Sequence, residues 1–228
     1  RHMQIVAATK ILKANDQVAA ENRALLSAAG VCCVNVLGSP GSGKTTLIEA
    51  LLKHFAGRVR TAVIEGDIAG TIDAERIEAL GVPALQINTE GACHLDAPMI
   101  AAALRELDLG SVQLLLVENV GNLVCPASFD LGEHLRMVVL SVSEGDDKAV
   151  KYPAVFQSAQ ALCVTKLDLS PYTNFNLPRI TADVQRLNPR ARCFQVAALR
   201  GEGIAAVAEW LVEHLQTDKP GFRPGIEQ

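Results

Sequence analysis

Eight consecutive residues, Gly38-Ser39-Pro40-Gly41-Ser42-Gly43-Lys44-Thr45, fit the pattern G-x-x-x-x-G-K-[ST] without a gap. Each residue type has a chemical reason to be there. Glycines let successive backbone N–H groups turn toward an anion, and a helix beginning at the loop's end adds partial positive charge. Lys44 is placed to reach the β- and γ-phosphates of a nucleotide, and the Thr45 hydroxyl to ligate Mg²⁺. Gly38, Ser39, Gly41, Ser42, Gly43 and Thr46 complete the expected cradle.

Acids recur where such a cradle needs them. Glu65-Gly66-Asp67 closes one apolar run and Glu118-Asn119-Val120-Gly121 closes another. In open α/β sheets ligands bind at the carboxyl ends of strands, which turns these carboxylates toward the phosphates. Asp67 is a candidate for the Mg²⁺ shell or for positioning the attacking water. Glu118 with Gly121 resembles the D-x-x-G switch of GTPases, with Glu for Asp, and is a second candidate for Mg²⁺ and catalysis. A helix cap or a solvated acid is the alternative for either residue.

The base is addressed further on. Val164-Thr165-Lys166-Leu167-Asp168 resembles the guanine-specificity motif N-K-x-D, with Thr165 in place of Asn. The Asp168 carboxylate would accept from guanine N1–H and its exocyclic amine, a donor pair that adenine lacks. The Lys166 stem would cover the base plane. Ala197-Ala198-Leu199 resembles the S-A-[KL] loop, in which the backbone N–H at Ala198 meets the guanine oxygen. Thr165 and Ala197 replace side chains that brace this pocket, so guanine preference with weakened affinity is expected.

A second chemistry lies in two loops. Gly91-Ala92-Cys93-His94-Leu95-Asp96 precedes a helical pattern, and Cys125-Pro126 follows Gly121 closely. Two thiolates and an imidazole suit Ni²⁺ or Zn²⁺. Three ligands leave a tetrahedral site open, to be closed by water or by a second copy of the chain. A Cys-His dipeptide alone would be ordinary loop sequence; its pairing with Cys125, just past the switch glycine, raises it above that.

The elements that must position these residues are readable from periodicity. Apolar runs at Val31–Leu37, Thr61–Glu65, Ala84–Ile87, Gln113–Glu118, Leu135–Val142, Ala161–Thr165 and Cys193–Val196 predict strands. Helical patterns cover residues 4–29, Lys44–Phe55, Asp73–Leu80, Leu95–Leu107, Leu177–Leu187 and Ile204–Leu215. Alternation of the two predicts an α/β fold, a mostly parallel sheet with helices on both faces. The expected organisation is an N-terminal helix in 1–30, a P-loop domain in 31–217 and a disordered tail in 218–228.

Composition narrows the function classes. The chain has 228 residues, 49% hydrophobic and 20% charged, with a net charge of −4. No basic tract offers a nucleic-acid footprint, and no apolar run is long enough for a membrane span. Six cysteines without a secretory signal read as reduced thiols, hence a cytoplasmic location. Cys32, Cys33, Cys163 and Cys193 lie in strand-like runs and are expected to be buried hydrophobes.

GSPGSGKTT at Gly38–Thr46, GACHLDA at Gly91–Ala97, ENVGNLVCP at Glu118–Pro126 and EGDDKAVKYP at Glu144–Pro153 together resemble the HypB family. These are SIMIBI-class P-loop GTPases of nickel insertion into [NiFe]-hydrogenase. The likeness spans residues 31–212. It implies a nickel chaperone that hydrolyses GTP slowly and dimerises with GTP bound. It also implies that Cys93, His94 and Cys125 hold Ni²⁺ or Zn²⁺ near the dimer interface, and that Lys148 contributes to nucleotide or partner-subunit contacts. Implied partners are a HypA-like accessory protein, SlyD and, indirectly, the hydrogenase large subunit. Thr165 departs from the family's usual Asn, and five scattered histidines do not make a nickel store.

Two other functions share the phosphate loop. A UreG-like urease GTPase would carry a Cys-Pro-His motif, which differs from the adjacent Cys93-His94 here. A small-molecule kinase would need an arginine-bearing lid, and no clear one is visible.

Overall fold

A computed structural model describes the backbone of residues 2–67 and 72–215 and the side chains of residues 10–66 and 75–215. The expected tail at 218–228 lies outside the described residues. Helix α1 spans His2–Ala28, and seven strands follow: β1 Cys32–Gly38, β2 Thr61–Asp67, β3 Ala84–Asn88, β4 Leu114–Glu118, β5 Leu135–Ser141, β6 Ala161–Thr165 and β7 Arg192–Gln195. The remaining helices are α2 Lys44–Phe55, α3 Ile72–Glu78, α4 Ala97–Glu106, α5 Lys148–Lys151, α6 Pro153–Ser158, α7 Leu177–Leu187 and α8 Ile204–Glu213. Every strand and helix expected from periodicity occurs within two residues of its expected ends.

The strands form one sheet in the order β3-β2-β4-β1-β5-β6-β7. All six pairings are parallel. Every residue of β1, β4 and β6 is buried, as strands covered on both faces require. The edge strands β3 and β7 are short and half-exposed, which limits unpaired backbone at the sheet margins. Cys193, expected to be buried, is half-exposed because it sits on edge strand β7. The other three strand cysteines are buried.

Alternate residues of each strand feed opposite layers. Val34, Val36, Met137 and Val139 pack with α2, Ile77 of α3 and α8 on one face. Cys33, Ala62, Ile64 and Leu115 meet Leu26 of α1 and Ile100 and Leu104 of α4 on the other. Val138, Leu140, Leu162 and Val164 continue that second face against α6 and α7. Each fully buried Leu or Ile contributes about 1.5–3 kcal/mol.

From β1 the chain passes to β2 and out to edge strand β3, returns to β4 beside β1, then crosses over and winds outward through β5, β6 and β7. Strand β1 lies where the winding reverses, paired to both β4 and β5. A crevice at its carboxyl end follows from that topology. Gly38 stands there, and the residues expected to do chemistry surround it.

Candidate functional site

The loop from β1 to α2 is shaped by close approach. A Cβ on Gly38 would lie 2.5 Å from the Val139 carbonyl oxygen and 2.6 Å from Ser42 Oγ, so no side chain fits. Gly41 and Gly43 hold φ of +73° and +94°, the left-handed region. Gly43 begins α2 without a side-chain cap, leaving the first-turn N–H groups pointed into the loop. The Ser42 hydroxyl is buried and has no hydrogen-bond partner, an orphaned polar atom inside the cradle.

Lys44 is 6% exposed, and its Nζ donates to the carbonyls of Gly38 and Ser39 at 3.4 and 3.3 Å. These are long bonds for an ammonium. Nζ also stands 4.0 Å from Glu118 Oε1, which accepts a 2.9 Å bond from the Thr45 hydroxyl. Thr45 and Glu118 thus present an oxygen-only donor pair beside the lysine, the donor chemistry that a hard cation such as Mg²⁺ takes. Glu65 stands in register with Glu118 across β2 and β4, and both are buried. Asp67 ends β2, with its side chain outside the described residues. Thr46 occupies the first turn of α2.

The expected base-reading segments converge on the same loop. The Thr165 hydroxyl donates to the Ser42 carbonyl at 2.5 Å. The expectation that Thr165 lacks the bracing side chain is therefore corrected, since its short hydroxyl reaches the loop directly. Lys166, at a left-handed φ of 54°, donates from Nζ to the Gly41 carbonyl at 2.7 Å. Leu167 N–H donates to the Val196 carbonyl at 3.2 Å, tying this segment to the turn at Ala198–Arg200. Asp168 lies 3.9 Å from the Arg200 guanidinium, and the Leu199 side chain is 90% exposed. Lys148 opens α5 with its ammonium 5.7 Å from the Tyr152 ring centroid.

Cys93, His94 and Cys125 come together although Cys125 lies 31 positions after His94 in the sequence. Their ligand atoms all lie within 4.8 Å of one another, and Cys93 Sγ is 3.7 Å from His94 Nδ1. Such spacing and this S, S, N donor set fit one soft or borderline divalent ion. The His94 ring stacks on Phe129, centroids 3.9 Å apart and planes at 25°. Burial lowers the His94 pKa, with Asp96 opposing, so the ring favours the neutral form a metal needs. Hydrogen bonding with Cys125, then burial, raises the Cys93 thiol.

The two sites are joined. Asn122 N–H donates to the Gly38 carbonyl at 3.0 Å, while its side-chain amide donates to the Cys93 carbonyl at 3.4 Å. A Cβ on Gly121 would meet the Pro40 backbone nitrogen at 2.8 Å, so the two loops lie in contact. Asn119 Oδ1 accepts from Leu95 N–H at 3.1 Å, fixing the residue after His94.

The sequence model of the CobW/HypB/UreG nucleotide-binding domain matches residues 32–195. A hydrogenase maturation factor HypB of Escherichia coli strain K12 is 46% identical over 201 residues, 88% of this chain and 69% of that protein. A probable hydrogenase maturation factor HypB of Methanocaldococcus jannaschii is 40% identical, covering 93% of this chain and 96% of the relative. The chain belongs to the HypB family. A solved HypB from Helicobacter pylori in complex with nickel superposes with a TM-score of 0.84 at 38% identity, covering 90% of this chain and 99% of that one.

Within this HypB-family chain, several residues at the site carry no motif. Asn35 interrupts an apolar strand and is fully buried. Its Oδ1 accepts from Asn119 Nδ2 at 3.1 Å, and its Nδ2 donates to Glu133 Oε1 at 3.4 Å. Glu133, also buried, accepts from Leu131 N–H at 2.7 Å and Arg136 Nε at 2.5 Å. A polar residue amid Val and Cys is the one sequence signal for this network, because burial demands partners for it.

Proposed function

We propose that the chain is a GTP-hydrolysing nickel chaperone for hydrogenase maturation, in which the nucleotide state sets the hold on the metal. Lys44 neutralises the β- and γ-phosphates. Thr45 and Glu118, with Asp67, hold Mg²⁺, which supplies charge neutralisation at the phosphates when bound. Asp168 accepts from guanine, Lys166 covers it, and Ala198 and Leu199 close the pocket. Cys93, His94 and Cys125 take the nickel cargo, with a second copy of the chain joining in the GTP-bound state. A HypA-like protein or SlyD would exchange the metal on its way to the hydrogenase large subunit.

The observation that carries this reading is the pair of hydrogen bonds made by Asn122. Gly38 O accepts from Asn122 N–H and also from Lys44 Nζ. A γ-phosphate draws Lys44 away from that carbonyl, leaving Asn122 as its donor. Asn122 in turn holds the backbone of Cys93. The nickel-bound relative from Helicobacter pylori supports the cargo.

The test is nickel titration of the full chain with and without a non-hydrolysable GTP analogue, with sedimentation run in parallel. A nickel affinity that changes at least several-fold with the analogue, together with a shift to dimer, is the expected result. Identical affinity in both states would overturn the coupling. Equal binding of ATP and GTP analogues would overturn the guanine assignment.

A further inference from the structure

Helix α1 carries two asparagines where its packing face calls for apolar side chains. Asn15 and Asn22 are seven residues apart, hence on one face, in line with Ala19 and Leu26, both fully buried. They are themselves only 4% and 3% exposed. A buried amide costs stability unless it is bonded, and both are bonded to backbone alone. Asn15 Oδ1 accepts from Ala97 N–H at 2.8 Å, satisfying the first free donor of α4, and its Nδ2 donates to the Asp130 carbonyl at 2.8 Å. Asn22 Nδ2 donates to the Ala97 carbonyl at 2.9 Å and to the Leu131 carbonyl at 3.0 Å.

Both amides bridge the same two segments. Ala97 lies three residues after His94. Asp130 and Leu131 follow Phe129, the ring on which His94 stacks, and trail Cys125 by five and six residues. Gly132 makes the bridge possible: its φ is +90°, and a Cβ there would strike the Ala19 carbonyl of α1 at 2.5 Å. Leucines at both positions would bury more apolar area and leave the two segments without a common anchor. An apolar face that gives up burial for backbone-directed amides specifies position, as a buried Asn specifies register in a coiled coil.

We infer that α1 is the brace of the thiol–imidazole site, with Asn15 and Asn22 the positioning residues that hold the Cys93-His94 and Cys125 segments at ligand distance. The inference rests on the reading that Cys93, His94 and Cys125 bind nickel. It extends that site to a helix that lies about 70 residues before it in the sequence and touches neither the nucleotide loop nor the ligands themselves among its described hydrogen bonds.

The experiment uses the full chain as wild type, Asn15→Leu/Asn22→Leu, the single variant Asn22→Ala, and Leu211→Ala. The last empties a fully buried position of α8, in the opposite layer, and lowers stability without touching α1 or the two segments it bridges. Nickel affinity is read by chelator competition, the ligand geometry by the thiolate-to-nickel absorption band, GTP-analogue affinity by calorimetry, and stability by thermal melting. The double variant is expected to lose nickel affinity about tenfold or more, the range for groups that orient ligands. Its absorption band should shift while its GTP-analogue affinity stays within about threefold, under tenfold or 1.4 kcal/mol. Asn22→Ala should show a smaller change in the same direction, and serves if the double variant does not fold. Leu211→Ala should lower the melting temperature and leave nickel affinity unchanged. Wild-type nickel affinity and spectrum in a folded Asn variant would overturn the inference and leave the cargo reading standing. Leu211→Ala weakening nickel as much as the Asn variants would overturn it too. No nickel binding by the wild-type chain would remove the cargo reading, and the brace with it.

Discussion

The Thr165 hydroxyl donates to the Ser42 carbonyl across 2.5 Å, joining the end of β6 to the turn of the phosphate loop. The carbonyl is buried among loop backbone, so removing the donor strands it at a cost of about 1–3 kcal/mol. Thr165→Val keeps the shape and deletes the bond. GTP-analogue affinity should fall about tenfold, or 1.4 kcal/mol, by calorimetry. Thr165→Ser should retain most of it. Wild-type affinity in the valine variant would assign the loop's shape to its glycines alone.

Glu118 Oε1 accepts from the Thr45 hydroxyl and stands 4.0 Å from Lys44 Nζ, beside the two side chains to which the proposed function gives Mg²⁺ and the phosphates. Glu118→Gln keeps an acceptor for the Thr45 hydroxyl and removes the charge. Turnover of GTP should drop on the order of a hundredfold, the scale of losing one aligned electrostatic group. The Mg²⁺ concentration needed for half-maximal activity should rise. A kcat unchanged at saturating Mg²⁺ would exclude Glu118 from the cation site.

Gly121 lies against Pro40 with no room for a methyl group. Gly121→Ala must push the two loops apart, at about 1–3 kcal/mol for overpacking. Nickel and GTP-analogue affinities should then decline together, since one displacement moves both Gly38 and Asn122. Loss of one affinity without the other would show that the contact is local.

His134 reports on pH. Its Nδ1 accepts from Cys33 N–H at 3.0 Å and its Nε2 bonds the Ser27 hydroxyl at 3.0 Å, with Arg23 nearby. Burial, then the Arg23 charge, lowers its pKa below the usual value of about 6.5. The folded chain thus resists a proton that the unfolded chain accepts. Stability from this group is complete above about pH 6.5 and declines as pH falls from there to the lowered folded value. Urea midpoints from about pH 7.5 to 5 should show that decline in the wild type and a shallower one in His134→Gln. Parallel slopes in the two proteins would rule His134 out as the source.

The phosphate loop was legible because its chemistry is local: glycine spacing and a following helical pattern lie within one stretch. The strands were legible because each apolar run exceeds any competing periodicity. Helices α5 and α6 were not, being short and broken at Tyr152-Pro153. Thr165 was misjudged as a lost brace because residue type alone does not give the distance to Ser42. The asparagines of α1 left no trace, for their partners lie 75 to 115 positions away and are backbone atoms that no motif names.

The sheet divides the molecule. Helix α2, which starts at the phosphate loop, belongs to one layer, and α4, which follows the Cys93-His94 segment, belongs with α1 to the other. The hydrogen-bonded crossing at Gly38 and Asn122 lies at the rim, where the partition ends. Either hydrophobic layer can therefore exchange side chains of similar volume and alter only how firmly the chain folds. Residues at the rim have no such freedom, because their hydrogen bonds and close contacts tie the phosphate loop to the Cys93 segment directly.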